Sequence, residues 1–312
     1  MALYQSIHDL IGHTPLLNIR HIDGIPEGVN IYAKLEFYNP GGSIKDRLGA
    51  ELVDDALTKG KINQGGTIIE PTAGNTGIGL ALSAKEKGLK VIFVVPEHFS
   101  REKQLIMQAL GAEIVHTPRE AGMKGAIEKT EQLLNEIPNS FSPQQFANPA
   151  NPNTYYKTLA PEIWHDLDGN VDVFIAGAGS GGTFMGCSRF FKEKDPTIKT
   201  VIVEPEGSII AGGKSGPHRT EGIGMEFLPA FMDPSYFDSI HTISDVDAFQ
   251  MVESLARKEG LLVGSSSGAA MRAALEEAKQ AERGTNIVVI FPDGSDRYLS
   301  KKIYPDVMGK EI

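Results

Sequence analysis

The stretch VDVFIAGAGSGGTFMG, residues 171–186, decides how this chain folds. A run of β-branched and apolar residues ends in Gly177, and Gly179, Gly181 and Gly182 follow before a helical pattern opens. A buried strand that turns through glycines into a helix is the first half of a parallel strand–helix–strand unit. Working outward, similar runs recur at 30–36 (NIYAKLE), 67–70 (TIIE), 90–96 (KVIFVVP), 112–115 (AEIV), 199–205 (KTVIVEP) and 286–292 (NIVVIFP). Leu52, Ala56 and Leu57, then Leu80, Ala81 and Ala84, then Met251, Leu255 and Ala256 repeat at helical spacing in the intervening segments. The alternation predicts an α/β chain with parallel sheets covered by helices on both faces. Two stretches without periodicity, 138–152 and 206–229, are expected to be crossings or functional loops, the second the more mobile.

Composition excludes several function classes. The chain has 312 residues, 41% of them hydrophobic, which supports a large core in one lobe or two modest ones. A formal charge of −10 argues against nucleic acid and anionic membranes, which demand a basic face, and leaves small molecules as the expected partners. Cys187 is the single cysteine, so no internal disulfide forms, and no Cys/His spacing suggests a metal; a reducing, cytoplasmic setting is expected. The first residues lack a basic start, and no apolar run reaches spanning length, so neither a signal peptide nor a membrane segment is expected.

Three loops carry chemistry. Gly177, Gly179, Gly181 and Gly182 bring backbone amides together at a helix N-terminus, where anions bind. Ser180 and Thr183 add hydroxyls, which suits a phosphate monoester. The same loop satisfies GxGxxG, and Glu204 at the end of the next strand lies at about the distance of a ribose-binding acid, so a dinucleotide site and a merely tight turn both remain open. The second loop, EPTAGNTG at 70–77, offers Thr72, Asn75, Thr76 and the amides near Ala73 and Gly74 as a carboxylate-sized site, or as simple helix capping. In the third, NPGGSIKDR at 39–47, Ser43 can cap a helix whose first turn holds Lys45. The positive end of a helix dipole disfavours an ammonium there and favours a nucleophilic neutral amine, with a solvated helix lysine as the plainer alternative.

These loops, together with QQFANPANP, EGIG and GSSSGAA, stand in the order seen in the fold-type II pyridoxal 5′-phosphate (PLP) enzymes. The chain resembles the branch containing O-acetylserine sulfhydrylase and cystathionine β-synthase from about Ile7 to Tyr304. The resemblance implies two doubly wound open parallel-sheet domains with the cofactor between them: a smaller mobile domain over 46–149, and a larger PLP-binding domain from 1–45 and 150–312. It implies that Lys45 is the Schiff-base lysine and that Gly179, Ser180, Gly181, Gly182 and Thr183 hold the phosphate. Asn75 then bonds the ring's phenolic oxygen and Ser266 faces its nitrogen. Thr72, Ala73, Asn75, Thr76 and Gln145 receive the substrate carboxylate, and Glu221 and Gly222 of EGIG border the substrate. The implied reaction replaces the acetate of O-acetylserine with a thiolate or hydrosulfide by way of an aminoacrylate, and a homodimer is implied with it.

Two departures refine the resemblance. TAGNTG stands where most sulfhydrylases read TSGNTG, and EGIG stands where simple cysteine synthases read QGIG. Both resemble the bacterial O-acetylserine-dependent cystathionine β-synthases, with Ala73 leaving room for a bulkier thiol and Glu221 offering an anion to the amine of homocysteine. Sulfide fits any such site, so cysteine synthesis is expected alongside. Serine or threonine dehydration and nicotinamide-dependent oxidation are the rival activities. Cys187, Trp164, Tyr155 and Tyr156 read as packing residues, His13 as a satisfied core histidine or else a residue close to an interface or site entrance, and Asp293 and Asp296 as ligand contacts or turn caps.

Overall fold

The computed structural model describes residues 3–72, 74–97 and 100–305. Its strands and helices run, in chain order, β1 (Leu16–Ile19), β2 (Asn30–Leu35), α1 (Lys45–Thr58), β3 (Thr67–Glu70), α2 (Asn75–Glu86), β4 (Lys90–Pro96), α3 (Arg101–Ala109), β5 (Glu113–Thr117), α4 (Gly122–Glu136) and β6 (Ser140–Phe141). They continue with α5 (Ala150–Lys157), α6 (Leu159–Asp166), β7 (Val173–Gly177), α7 (Gly182–Lys194), β8 (Lys199–Pro205), β9 (Ser239–Ile243), α8 (Asp245–Glu259), α9 (Ser265–Ala278) and β10 (Asn286–Phe291). The strands expected from sequence are all present. Those missed are β1, β6 and β9, all three at sheet edges, where one-sided burial weakens the apolar signal. The stretch 138–152, expected as a crossing, contains β6 and the start of α5.

Two compact units emerge. The first comprises residues 1–11 and 39–151, the second 12–38 and 152–312. Residues 1–11 and 39–45, Lys45 among them, thus belong to the unit with the smaller sheet, whereas the sequence reading grouped them with the larger one.

The first unit holds a four-stranded sheet in the order β5-β4-β3-β6, parallel throughout. Ile69, Ile92, Val94 and Ala126 form a buried core on one face, with Leu133 and Ile137 of the α4 region packed against it. From β3 the chain winds through β4 to β5, then returns to place β6 on the opposite side of β3. That reversal is a topological switch point, and ligands in open α/β sheets bind at the carboxyl ends of strands there.

The second unit holds a six-stranded sheet in the order β1-β2-β10-β7-β8-β9, parallel except for the antiparallel edge pair β1–β2. Ile175, Val203 and Val289 of its central strands pack with Val252, Leu255, Ala269 and Ala273 of α8 and α9. Its order reverses at β7, with β8 on one side and β10 on the other. The glycine loop that follows β7 therefore leaves from a switch point, as the loop after β3 does in the first unit.

Candidate active site

In the first unit, α1 and α2 cross glycine to glycine. A methyl on Gly49 would lie 2.2 Å from the Gly79 carbonyl carbon, and one on Gly79 would lie 2.2 Å from the Lys45 carbonyl oxygen. Only hydrogen permits that approach, so the backbone of Lys45 rests against the second turn of the helix that Asn75 begins. Lys45 is the first residue of α1, as expected, and is half-buried. Ser43 does not cap the helix in the expected way: Ile44 holds the cap position, and Ser43 Oγ accepts from Lys45 N at 3.2 Å. The buried Asp46 fastens the preceding turn by accepting from Gly41 N at 2.5 Å.

The loop after β3 is organised by a residue that sequence reasoning passed over. Glu70, buried at the strand's end, accepts from Ser142 Oγ at 2.7 Å, Gln144 N at 3.2 Å and Gln145 N at 3.4 Å. Burial raises its pKa, and these hydrogen bonds oppose the rise. Gln145, held this way, accepts from Thr76 Oγ1 at 2.9 Å, and its own carbonyl accepts from Asn151 Nδ2 at 2.7 Å. Thr72, Asn75, Thr76 and Gln145 therefore do converge at the switch point of this sheet. Gly74 occupies the cap of α2 with no side-chain cap bond, a methyl there would meet nothing within 4 Å, and Thr72 Oγ1 accepts from Gly74 N at 3.4 Å. Ala73 lies outside the described residues.

In the second unit, Gly181 takes φ +82° at the cap of α7, where a side chain would be strained and would collide with Met232 Sδ. Ala178 is pinned from both sides, donating to Val203 O at 3.0 Å and accepting from Gly224 N at 2.8 Å. A methyl on Gly179 would sit 2.3 Å from Gly222 O, so the EGIG segment lies directly along the glycine loop. Gly222 itself has φ +87°, and a methyl there would meet only Ser266 Oγ, 3.9 Å away, within a 4 Å radius. Ser180, Thr183 and Ser266 are all buried. Glu221 N donates to Ser265 Oγ at 3.0 Å, and Asp245 receives Thr220 N and Oγ1 at 2.8 and 2.6 Å. The loop, EGIG and the start of α9 thus lie side by side, with Ser266 Oγ the atom nearest the open side of Gly222.

Several other expectations resolve here. Glu204 is buried and engaged by Ile210 N at 2.8 Å, Ala211 N at 3.0 Å and Thr242 Oγ1 at 2.9 Å, so its oxygens serve the following loop and not a ribose. Asp293 is buried, bonds the Tyr298 hydroxyl and abuts Gly264 at the cap of α9, a structural post. His13 is exposed, with φ +48°, and is not a core histidine. Its amide donates to Glu162 at 3.0 Å and the next carbonyl, Thr14 O, accepts from buried Lys34 at 2.7 Å, so the backbone rather than the ring is what this loop uses. Cys187 and Tyr155 are buried, and Tyr156 and Trp164 pack edge-on against Phe190, as expected of packing residues.

A loop that offers backbone donors and two hydroxyls at a helix N-terminus, in an α/β chain with an amine opening a second helix, defines an enzyme that handles a phosphorylated carbonyl cofactor. The chain belongs to the pyridoxal-phosphate dependent enzyme family, whose model matches residues 7–293. It is 65% identical to the O-acetylserine dependent cystathionine beta-synthase of Bacillus subtilis, over 97% of this chain and 99% of that one. It is 54% identical to a cysteine synthase of Helicobacter pylori, over 97% and 100%. The crystal structure of the O-acetylserine dependent cystathionine beta-synthase of Helicobacter pylori superposes with a TM-score of 0.92 at 53% identity, covering 97% of this chain and all of that one.

The chain is PLP-dependent and has the fold-type II architecture. The residues fit the cofactor. Ser180, Thr183 and the start of α7 match the donor needs of a phosphate, and the buried Ser266 hydroxyl beside Gly222 is of a kind able to meet a ring nitrogen.

Proposed function

We propose that this chain catalyses β-replacement on O-acetyl-L-serine, with homocysteine to give cystathionine and with sulfide to give cysteine. The observation that carries the reading is the α1–α2 crossing, which sets the Lys45 backbone against the helix whose start carries the carboxylate cradle. Lys45 would hold the cofactor at its aldehyde, and its amine, when free, would take the substrate α-proton. Thr72, Ala73, Asn75, Thr76 and Gln145 clamp the substrate carboxylate with neutral donors and so orient the Cα–H bond. Gly179, Ser180, Gly181, Gly182 and Thr183 hold the phosphate, Asn75 the phenolic oxygen and Ser266 the ring nitrogen. When bound, PLP supplies an electron sink for the charge that develops at the substrate Cα. A serine hydroxyl cannot keep the ring nitrogen protonated, which weakens that sink and favours loss of the β-substituent over transamination. Acetate leaves from Cβ without prior protonation, as hydroxide would not, and the thiol sulfur bonds to the same carbon. Glu221 receives the amine of homocysteine and Gly222 borders the substrate. The same reading takes the protein to be a cytoplasmic homodimer.

The test is direct. PLP-loaded protein given O-acetylserine is expected to form cystathionine with homocysteine and cysteine with sulfide, and Lys45→Ala should lower both rates by about 10³-fold or more. Borohydride reduction should fix the cofactor on Lys45. Labelling of another side chain, or ammonia release without any thiol, would overturn the assignment. Glu221→Gln should slow the homocysteine reaction more than the sulfide reaction, and an equal effect on both would remove Glu221 from thiol recognition.

A further inference from the structure

Glu221 forms an ion pair with Lys301, its carboxylate 3.5 Å from the Lys301 ammonium. The two side chains are 30% and 49% exposed, so the pair faces solvent, while the backbone of 221–222 behind it touches Ser265, Ser266 and Gly179. Lys301 is not placed there by chance of a floppy tail. Its carbonyl accepts from Arg219 Nη2 at 2.8 Å, the Arg219 guanidinium lies 4.9 Å over the Phe249 ring, and Arg219 N donates to Asp245 at 2.7 Å. The turn at 299–301 and the segment 219–221 are thus tied by the Arg219 guanidinium on the Lys301 carbonyl, a bond that does not depend on the ion pair itself.

We infer that Lys301 is a specificity residue for the incoming thiol: it binds the carboxylate of homocysteine while Glu221 binds the amine. The inference rests on the homocysteine reading above and extends it to a residue outside every motif in the sequence. An exposed ion pair contributes only about 0–1 kcal/mol, so opening it costs little. An α-amino acid carries one ammonium and one carboxylate on the same carbon, complementary in charge to the Glu221–Lys301 doublet, and exchanging one pair for two leaves no charge without a partner. Sulfide carries neither group and gains nothing from the doublet.

Thiols lacking one charge separate the two roles. Lys301→Gln should raise the KM for homocysteine and for 4-mercaptobutyrate by about fivefold, the equivalent of one exposed pair, and change that for 3-aminopropanethiol far less. Glu221→Gln should show the reverse order for the two analogues. Calorimetric titration with 4-mercaptobutyrate, which needs no turnover, should show the same weakening for Lys301→Gln and recovery in Lys301→Arg. Equal effects on all thiols, or an unchanged KM for homocysteine, would overturn the role of Lys301. Failure of the unmodified protein to use homocysteine at all would instead overturn the underlying reading, so the two failures are told apart.

Discussion

The two units place candidate residues at equivalent points, the carboxyl ends of strands where sheet order reverses, but they secure them by different means. In the first, a buried carboxylate does the holding: Glu70 gathers Ser142, Gln144 and Gln145, and Gln145 in turn takes the Thr76 hydroxyl. In the second, glycine backbone does it: Gly179 lies on Gly222, Gly181 turns in the left-handed region, and Ala178 is bonded on both sides. Hydrogen bonds gathered on one carboxyl side chain can re-form as a ligand arrives, whereas packed backbone cannot yield. The first arrangement suits a substrate that comes and goes in every cycle; the second suits a cofactor that stays.

That contrast can be broken most forcefully with a methyl group. Gly179→Ala drives Cβ into Gly222 O, and Gly79→Ala drives it into Lys45 O, both backbone atoms that cannot rotate away. Each should lower stability by about 2–3 kcal/mol by differential scanning calorimetry. Gly179→Ala should in addition weaken PLP retention on dialysis, measured by absorbance. If Gly179→Ala keeps its cofactor with unaltered affinity, the backbone of the second unit does not form the cradle.

Glu70→Gln tests the charge at the centre of the first unit. A glutamine offers one acceptor oxygen and turns an NH₂ toward three donors, so Gln145 should lose its anchor at a cost of roughly 1–3 kcal/mol. The expected signature is a raised KM for O-acetylserine with PLP affinity little changed. A change in PLP affinity alone would contradict the division of labour.

The smallest effect is a pH response of opposite sign in the two units. Burial alone would raise the Glu277 pKa, but hydrogen bonds from His241 at 2.8 Å and Lys199 at 2.6 Å, with their charges, bring it down to about 2. A carboxylate lowered in the fold contributes stability that is present above its unfolded value of 4.5 and is lost as pH falls toward about 2. Glu70, raised by burial, behaves oppositely: its ionisation above the unfolded value of 4.5 works against the fold as pH rises. Glu277→Gln should therefore flatten the acid limb of a stability–pH curve, by roughly 1–2 kcal/mol once solvent screening of its partly exposed partners is allowed for. An unchanged acid limb would show that the pair contributes nothing.

Much of this was legible in the sequence because it is local. A strand running into glycines and then a helix is written in adjacent residues, and the loops at 39–47, 70–77 and 177–183 could each be recognised without knowing their neighbours. Glu204 shows the limit. Its spacing after the glycine loop suited a ribose, yet the atoms that occupy it come from Ile210, Ala211 and Thr242, and no spacing rule reports them. Glu70 was hidden for the same reason, its partners lying more than seventy residues along the chain.

By itself, then, the sequence determined the α/β class, the order along the chain of the strands that carry the loops, and the PLP family, since each depends on short-range pattern and residue chemistry. Only the tertiary structure decided that Lys45 rests on Gly79, that Gly222 lies against Gly179, and that Lys301 meets Glu221. Those are meetings of distant segments, the first two set by what backbone packing permits and the third by a surface ion pair, and no local pattern encodes them.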